Sequence, residues 1–268
     1  MVFQCLTVLM RANPTNNIVL FEVVYVKGKV GATAHEICYN RIETSKDGDE
    51  RYDMKKRIMV YGDSNTHGYN AEDGSRFDEN TRWTGVCQQL LGDDYVIVEE
   101  GLNGRNTCHS FPDDPYKNGI AYIIPCVLSQ LPLDMICVKL GSNDFDPLLD
   151  PDPVKIAERA AQILKIAKMA NDEKYPGRPC KYVLMAPLKA TEDALTGDFA
   201  EYYDRSTVEL SWEAPAAYKA QAEADGFLYF DANEVAECCK KDGVHLDAAN
   251  HKKLGIAMAA WIKEQMEG

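Results

Sequence analysis

A serine stands directly behind an apolar run at Gly62-Asp63-Ser64-Asn65-Thr66, and a carboxylate and an imidazole share one short stretch at Asp242-Gly243-Val244-His245. A serine hydroxyl is a weak nucleophile until a neighbouring base takes its proton. An imidazole, which ordinarily titrates near pH ~6.5, can be that base, and a carboxylate can fix its tautomer and stabilise the imidazolium. Two further stretches, Gly101-Leu102-Asn103-Gly104-Arg105-Asn106 and Gly141-Ser142-Asn143-Asp144, offer donors for a developing oxyanion. They are the Gly104 N–H, open to close approach, and the Asn143 side-chain amide. Taken singly, each piece also reads as ordinary turn chemistry: a turn serine or helix cap, an Asp-Gly turn beside a surface histidine, and Gly/Asn loops.

The elements around these stretches decide whether they can meet. Short apolar runs at residues 57–61, 95–99, 134–140, 181–186 and 227–230 read as strands. Helical patterns lie at about 82–91, 153–170, 212–225 and 247–266, with Asp152 and Asp247 as N-caps. The alternation predicts a three-layer α/β/α domain on a five-stranded, mainly parallel, flavodoxin-like sheet. Ser64, the two donor stretches and the Asp242–His245 pair follow predicted strands or precede the last helix. They therefore gather at the carboxyl edge of the sheet, where ligands bind in such folds.

Residues 1–56 read differently. The run 18–26 is β-rich and is separated by Gly28 and Gly31 from another at 36–42, which predicts a small β-rich extension. The charged stretch 45–56 reads as a solvated linker. The predicted division is thus an N-terminal extension and linker over 1–56 and a catalytic domain over 57–268.

Composition narrows the function further. Hydrophobic residues are 46% and charged residues 26% of the 268, as in ordinary globular proteins, so the chain should fold. A net charge of -13 argues against nucleic-acid partners, which need Lys and Arg to displace counterions. Nine cysteines, an odd number without a Cys-x-x-Cys pair, and the vicinal Cys238 and Cys239 predict reduced thiols in a cytoplasmic protein. The apolar opening segment lacks a basic n-region, although secretion is left open. No run approaches the roughly 20 apolar residues of a membrane span. His35, His109 and His251 are dispersed, so no metal is expected, and His67 has no nearby carboxylate comparable with Asp242.

The four blocks, in their order, resemble those of the SGNH hydrolase superfamily, also called the Gly-Asp-Ser-Leu esterases, which contribute Ser, Gly, Asn and His. The chain most resembles bacterial arylesterases with acyltransferase activity. That likeness is carried by Arg82-Trp83-Thr84-Gly85-Val86, Glu99-Glu100-Gly101-Leu102, Leu131-Pro132-Leu133-Asp134 and Leu140-Gly141-Ser142-Asn143-Asp144, within about 57–266. The resemblance implies Ser64 as nucleophile, Asp242 and His245 as its activating pair, and an oxyanion hole made by the Ser64 and Gly104 N–H groups and the Asn143 amide. It also implies an acyl-serine route on small, acetyl-like esters with water or an alcohol as acceptor, no cofactor, and a homo-oligomer. A carbohydrate acetylesterase of the same superfamily is the alternative, and a noncatalytic ligand-binding module is the reading from another class.

Two departures stand out: Asn65 occupies the place of the family's leucine, and residues 1–56 have no counterpart in the compact family core. Thr66 stands where the α/β-hydrolase elbow Gly-x-Ser-x-Gly needs glycine, so this is not that motif. Asn65, Trp83 and Trp212 are the candidate substrate-pocket residues, with core or interface packing as the other reading of the tryptophans. The polar segment 190–210 reads as a cap near the site mouth or as a subunit contact.

Overall fold

A computed structural model of the chain describes residues 55–267 and, before them, the backbone of two strands. The chain divides into two compact units, Met1–Glu50 and Arg51–Gly268, a division that falls inside the charged stretch 45–56. In the first unit β1 (Leu6–Ala12) pairs antiparallel with β2 (Val19–Tyr25). The run 18–26 contains β2, its partner comes from the apolar opening segment, and the run 36–42 lies outside the described residues.

The second unit carries β3 (Lys56–Gly62), β4 (Tyr95–Gly101), β5 (Met135–Lys139), β6 (Lys181–Met185) and β7 (Leu228–Phe230). They form one parallel sheet in the order β4-β3-β5-β6-β7. Successive strand side chains point to opposite faces. Along β3, Ile58 and Val60 accordingly pack with α2 (Trp83–Leu91) and α6 (Ala248–Glu267). Met59 and Tyr61 pack with α3 (Gly119–Gln130), α4 (Pro153–Lys174) and α5 (Arg205–Asp225). Both sheet faces are covered, which is why the strands read as unbroken apolar runs rather than alternating ones. The sheet is flavodoxin-like in order, and the chain reverses direction about β3, so the loops after β3, β4 and β5 converge at a switch point.

Helix α3 was not legible beforehand. It is apolar nearly all round and holds Pro125, so it shows neither a polar face nor an uninterrupted pattern. Its one local signal is Asn118, whose side chain accepts from the Ala121 N–H at 3.1 Å. Helix α5 begins seven residues earlier than its pattern suggested, at Arg205 rather than 212, because Asp204 and Thr207 form a reciprocal capping box. The predicted caps Asp152 and Asp247 accept from Val154 and Asn250 backbone N–H groups respectively.

Beneath the strand ends, His251 on α6 is fully buried, and its Nδ1 accepts from the Trp83 N–H at 3.2 Å. Burial, reinforced by the charge of Lys139, pushes its imidazolium down to about 3. An unfolded histidine binds its proton below about pH 6.5, whereas the folded chain refuses it until far lower pH. Stability conferred by this neutral imidazole is therefore present above about pH 6.5 and lost as the pH falls towards 3. His251→Asn keeps an acceptor for Trp83 but cannot titrate. Its melting temperature is expected to fall less between pH 7 and pH 5 than that of the parent. Equal slopes in the two melting series would refute this.

Candidate active site

The turn after β3 is built for a close approach. Asp63 caps the short helix α1 (Ser64–His67), its Oδ1 accepting from the Asn65 N–H at 3.0 Å. A Cβ at Gly62 would lie 2.1 Å from Thr66 Oγ1 and 3.0 Å from the Lys139 carbonyl oxygen, so a side chain there would displace this turn. Ser64 follows at the first helical position, only 6% exposed.

The loop before α6 brings its two polar side chains to that serine. His245 Nε2 lies 2.8 Å from Ser64 Oγ, and His245 Nδ1 lies 2.6 Å from Asp242 Oδ2. The other carboxylate oxygen of Asp242 accepts from the Val244 and His245 N–H groups, both at 2.9 Å. Gly243 makes this possible: its φ is +70°, and a Cβ would lie 2.2 Å from the Ala194 nitrogen. Burial alone would raise the Asp242 carboxyl, but the hydrogen bonds from the His245 ring and the two amides outweigh it and hold the group down to about 2. Asp242 is thus a carboxylate at neutral pH, fully buried and fully occupied.

The two donor stretches lie against the same turn. Arg105 Nη1 donates to the Gly62 carbonyl at 3.0 Å and Leu102 N–H donates to it at 3.2 Å, binding the loop after β4 to the end of β3. Gly104 has φ +73°, and its N–H has no backbone acceptor among the described residues. Asn143 Nδ2 donates one hydrogen to the Arg105 carbonyl at 3.0 Å, which leaves its second N–H for a ligand. Asp144, next in the chain, accepts from Thr107 N–H at 3.0 Å and from Thr107 Oγ1 at 2.5 Å, fastening the two loops together. Burial raises the Asp144 carboxyl to about 6 against these bonds.

Two aromatic rings wall the imidazole. Tyr69, just past α1, has its ring centroid 4.5 Å from that of His245, and Phe199 is 5.2 Å away. Phe199 belongs to the segment 190–210, whose short turns Glu192–Leu195 and Ala200–Tyr202 precede α5. That segment therefore packs beside the site, as a cap would. Sequence reasoning missed Tyr69, Phe199 and Thr107. Only Tyr69 carried a signal, its place just beyond the serine turn.

The three candidate pocket residues lie in different surroundings, and Trp83 takes the core-packing reading. Asn65 is 1% exposed and turned inward: its Nδ2 donates to the Val244 carbonyl at 3.1 Å and its Oδ1 accepts from the Leu246 N–H at 2.9 Å. Trp83 is fully buried in the core between α2 and α6, its Nε1 donating to the Asn65 carbonyl at 3.0 Å. Trp212 is 55% exposed on α5, its Nε1 donating to the Ala190 carbonyl at 2.7 Å. Polar partners in the backbone drew the first two inward, away from any open wall. The His67 ring makes no hydrogen bond to a carboxylate among the described residues, and its carbonyl accepts from Arg76 Nε. Among the described residues no group of His, Cys, Asp or Glu could hold a metal ion, and no helix is long and apolar enough to cross a membrane.

A hydroxyl, an imidazole and a carboxylate in series at the strand ends of a flavodoxin-like sheet define the class of α/β hydrolytic enzymes. Residues 60–253 match the GDSL-like lipase/acylhydrolase family, and the chain belongs to it. It is accordingly an ester hydrolase of that family. The structure is similar to the inhibitor-bound aryl esterase of M. smegmatis, at 31% identity and TM-score 0.72, over 78% of this chain and 99% of that one. It is also similar to a carbohydrate acetylesterase from Sinorhizobium meliloti, at 30% identity and TM-score 0.70, over 79% of this chain and 100% of that one. No curated protein matches the chain.

Proposed function

We propose that the chain is a serine esterase that hydrolyses or transesterifies short-chain, acetyl-like esters through an acyl-serine intermediate. The observation that carries this reading is the unbroken series from Ser64 Oγ through His245, at 2.8 Å and 2.6 Å, to a carboxylate held ionised. His245 Nε2 takes the Ser64 proton as the hydroxyl attacks the ester carbonyl. The Ser64 and Gly104 N–H groups and the free Asn143 N–H hold the oxyanion. His245 then gives its proton to the departing alkoxide, and the acyl group stays on Ser64. Water or an alcohol, deprotonated by His245 in turn, releases it. The rings of Tyr69 and Phe199 stand beside the imidazole that would deprotonate either acceptor.

A fluorophosphonate tests the reading, because only an activated hydroxyl forms its phosphonyl adduct. One adduct per chain is expected, located on Ser64 by peptide mass, with aryl acetate hydrolysis lost in step. An unlabelled Ser64 under conditions where ester turnover persists would defeat the proposal. The S. meliloti neighbour favours the second reading, a carbohydrate acetylesterase. Deacetylation of acetylated xylan oligomers in preference to aryl acetates would select it.

A further inference from the structure

The reaction proposed above needs His245 Nε2 held within reach of Ser64 Oγ, yet 181 positions of chain separate the two residues. The Asp242 carboxylate cannot provide that hold. Its bonds to Val244, His245 and the imidazole all lie within one loop, so they shape the loop without placing it against the serine turn.

Among the described residues, three hydrogen bonds join the serine turn to the His245 loop. One is the Ser64–His245 contact itself, and the other two both come from the amide of Asn65. That amide donates to the Val244 carbonyl at 3.1 Å and accepts from the Leu246 N–H at 2.9 Å, bracketing His245 by the residues on either side. Asn65 is itself immobilised, its N–H on the Asp63 carboxylate at 3.0 Å and its carbonyl accepting from Trp83 Nε1 at 3.0 Å. At 1% exposure, water does not compete for these bonds. In this chain the two bonds that bracket His245 use a side chain that both donates and accepts. Leucine can do neither, and an ionised aspartate can only accept.

We propose, on the serine esterase reading, that Asn65 is a positioning residue that sets the distance between the imidazole and the nucleophile. Its effect is on the turnover step rather than on substrate binding. Misplacing a reacting group by about 1 Å can cost about 100-fold in rate.

The test compares the parent, Asn65→Leu and Asn65→Asp on an aryl acetate, with rates expressed per folded chain, taken from the amplitude of the melting transition so that misfolded chains are not counted. Asn65→Leu is expected to lower kcat by about 10- to 100-fold with KM little changed. Asn65→Asp, isosteric and still able to accept from Leu246, replaces the donor to the Val244 carbonyl with an oxygen, so it too is expected to lower kcat, and it serves if the leucine variant fails to fold. The proton NMR signal of His245 Nδ1–H, shifted far downfield by its short bond to Asp242, is expected to persist in both variants, because that bond is internal to the loop. Parental kcat per folded chain in Asn65→Leu, or in Asn65→Asp at a pH where its carboxylate is ionised, overturns the proposal. Loss of the downfield proton together with activity also overturns it, because the amide would then be supporting the loop's fold. Ser64→Ala is the control: if it retained turnover, the esterase reading would fail whatever the Asn65 variants do.

Discussion

Ser64→Ala is expected to lower ester turnover by about 10⁴- to 10⁶-fold, the range found when the nucleophile is removed from comparable serine sites. The fold should survive, because α1 is capped by Asp63 and not by the serine side chain. His245 and Asp242 would keep their mutual bond, since it does not involve residue 64. On the proposed mechanism, what disappears is the oxygen that would bond to the acyl carbon, and no other hydroxyl is hydrogen-bonded to His245 Nε2 among the described residues. The measurement is kcat/KM on an aryl acetate, beside a melting curve. Turnover within tenfold of the parent would mean that the chemistry runs elsewhere.

Asp242→Asn should cost nearly as much, about 10⁴-fold at neutral pH, through the tautomer of one ring. Asp242 Oδ1 accepts from two backbone N–H groups, so the asparagine oxygen must take that place. Its amino group then faces His245 Nδ1, where Oδ2 now stands. A donor at that position forces Nδ1 to accept, which places the ring proton on Nε2, pointing at Ser64 Oγ. In that tautomer the imidazole cannot take the serine proton. The loop should keep its shape while the base is disabled, so KM should change little. A variant with more than about a tenth of parental kcat at neutral pH would show that the carboxylate does not set the tautomer.

Much of this arrangement was legible in residue order. The five apolar runs of the second unit became β3 to β7, and chemistry-bearing residues directly behind β3, β4 and β5 were bound to meet once those strands lay parallel and adjacent. The Asp242–His245 pair could be read because its spacing is local. What could not be read depends on tertiary partners. Whether Asn65 and Trp83 face a ligand or the backbone is decided by Val244, Leu246 and the Asn65 carbonyl, which no local pattern announces. Phe199 reaches His245 only because the irregular segment before α5 folds back over the loop. Helix α3 escaped for the opposite reason: its sequence is so uniformly apolar that periodicity is silent.

The confinement of the imidazole–carboxylate pair to the loop before α6 also bears on biosynthesis. The hydroxyl of Ser64 is synthesised 181 positions before the imidazole of the pair, so, if Ser64 is the nucleophile, a nascent chain carries an inert alcohol until the loop before α6 has followed it. On the serine esterase reading, ester cleavage therefore reports that synthesis has passed the Asp242–His245 loop and that α6 has packed against α2.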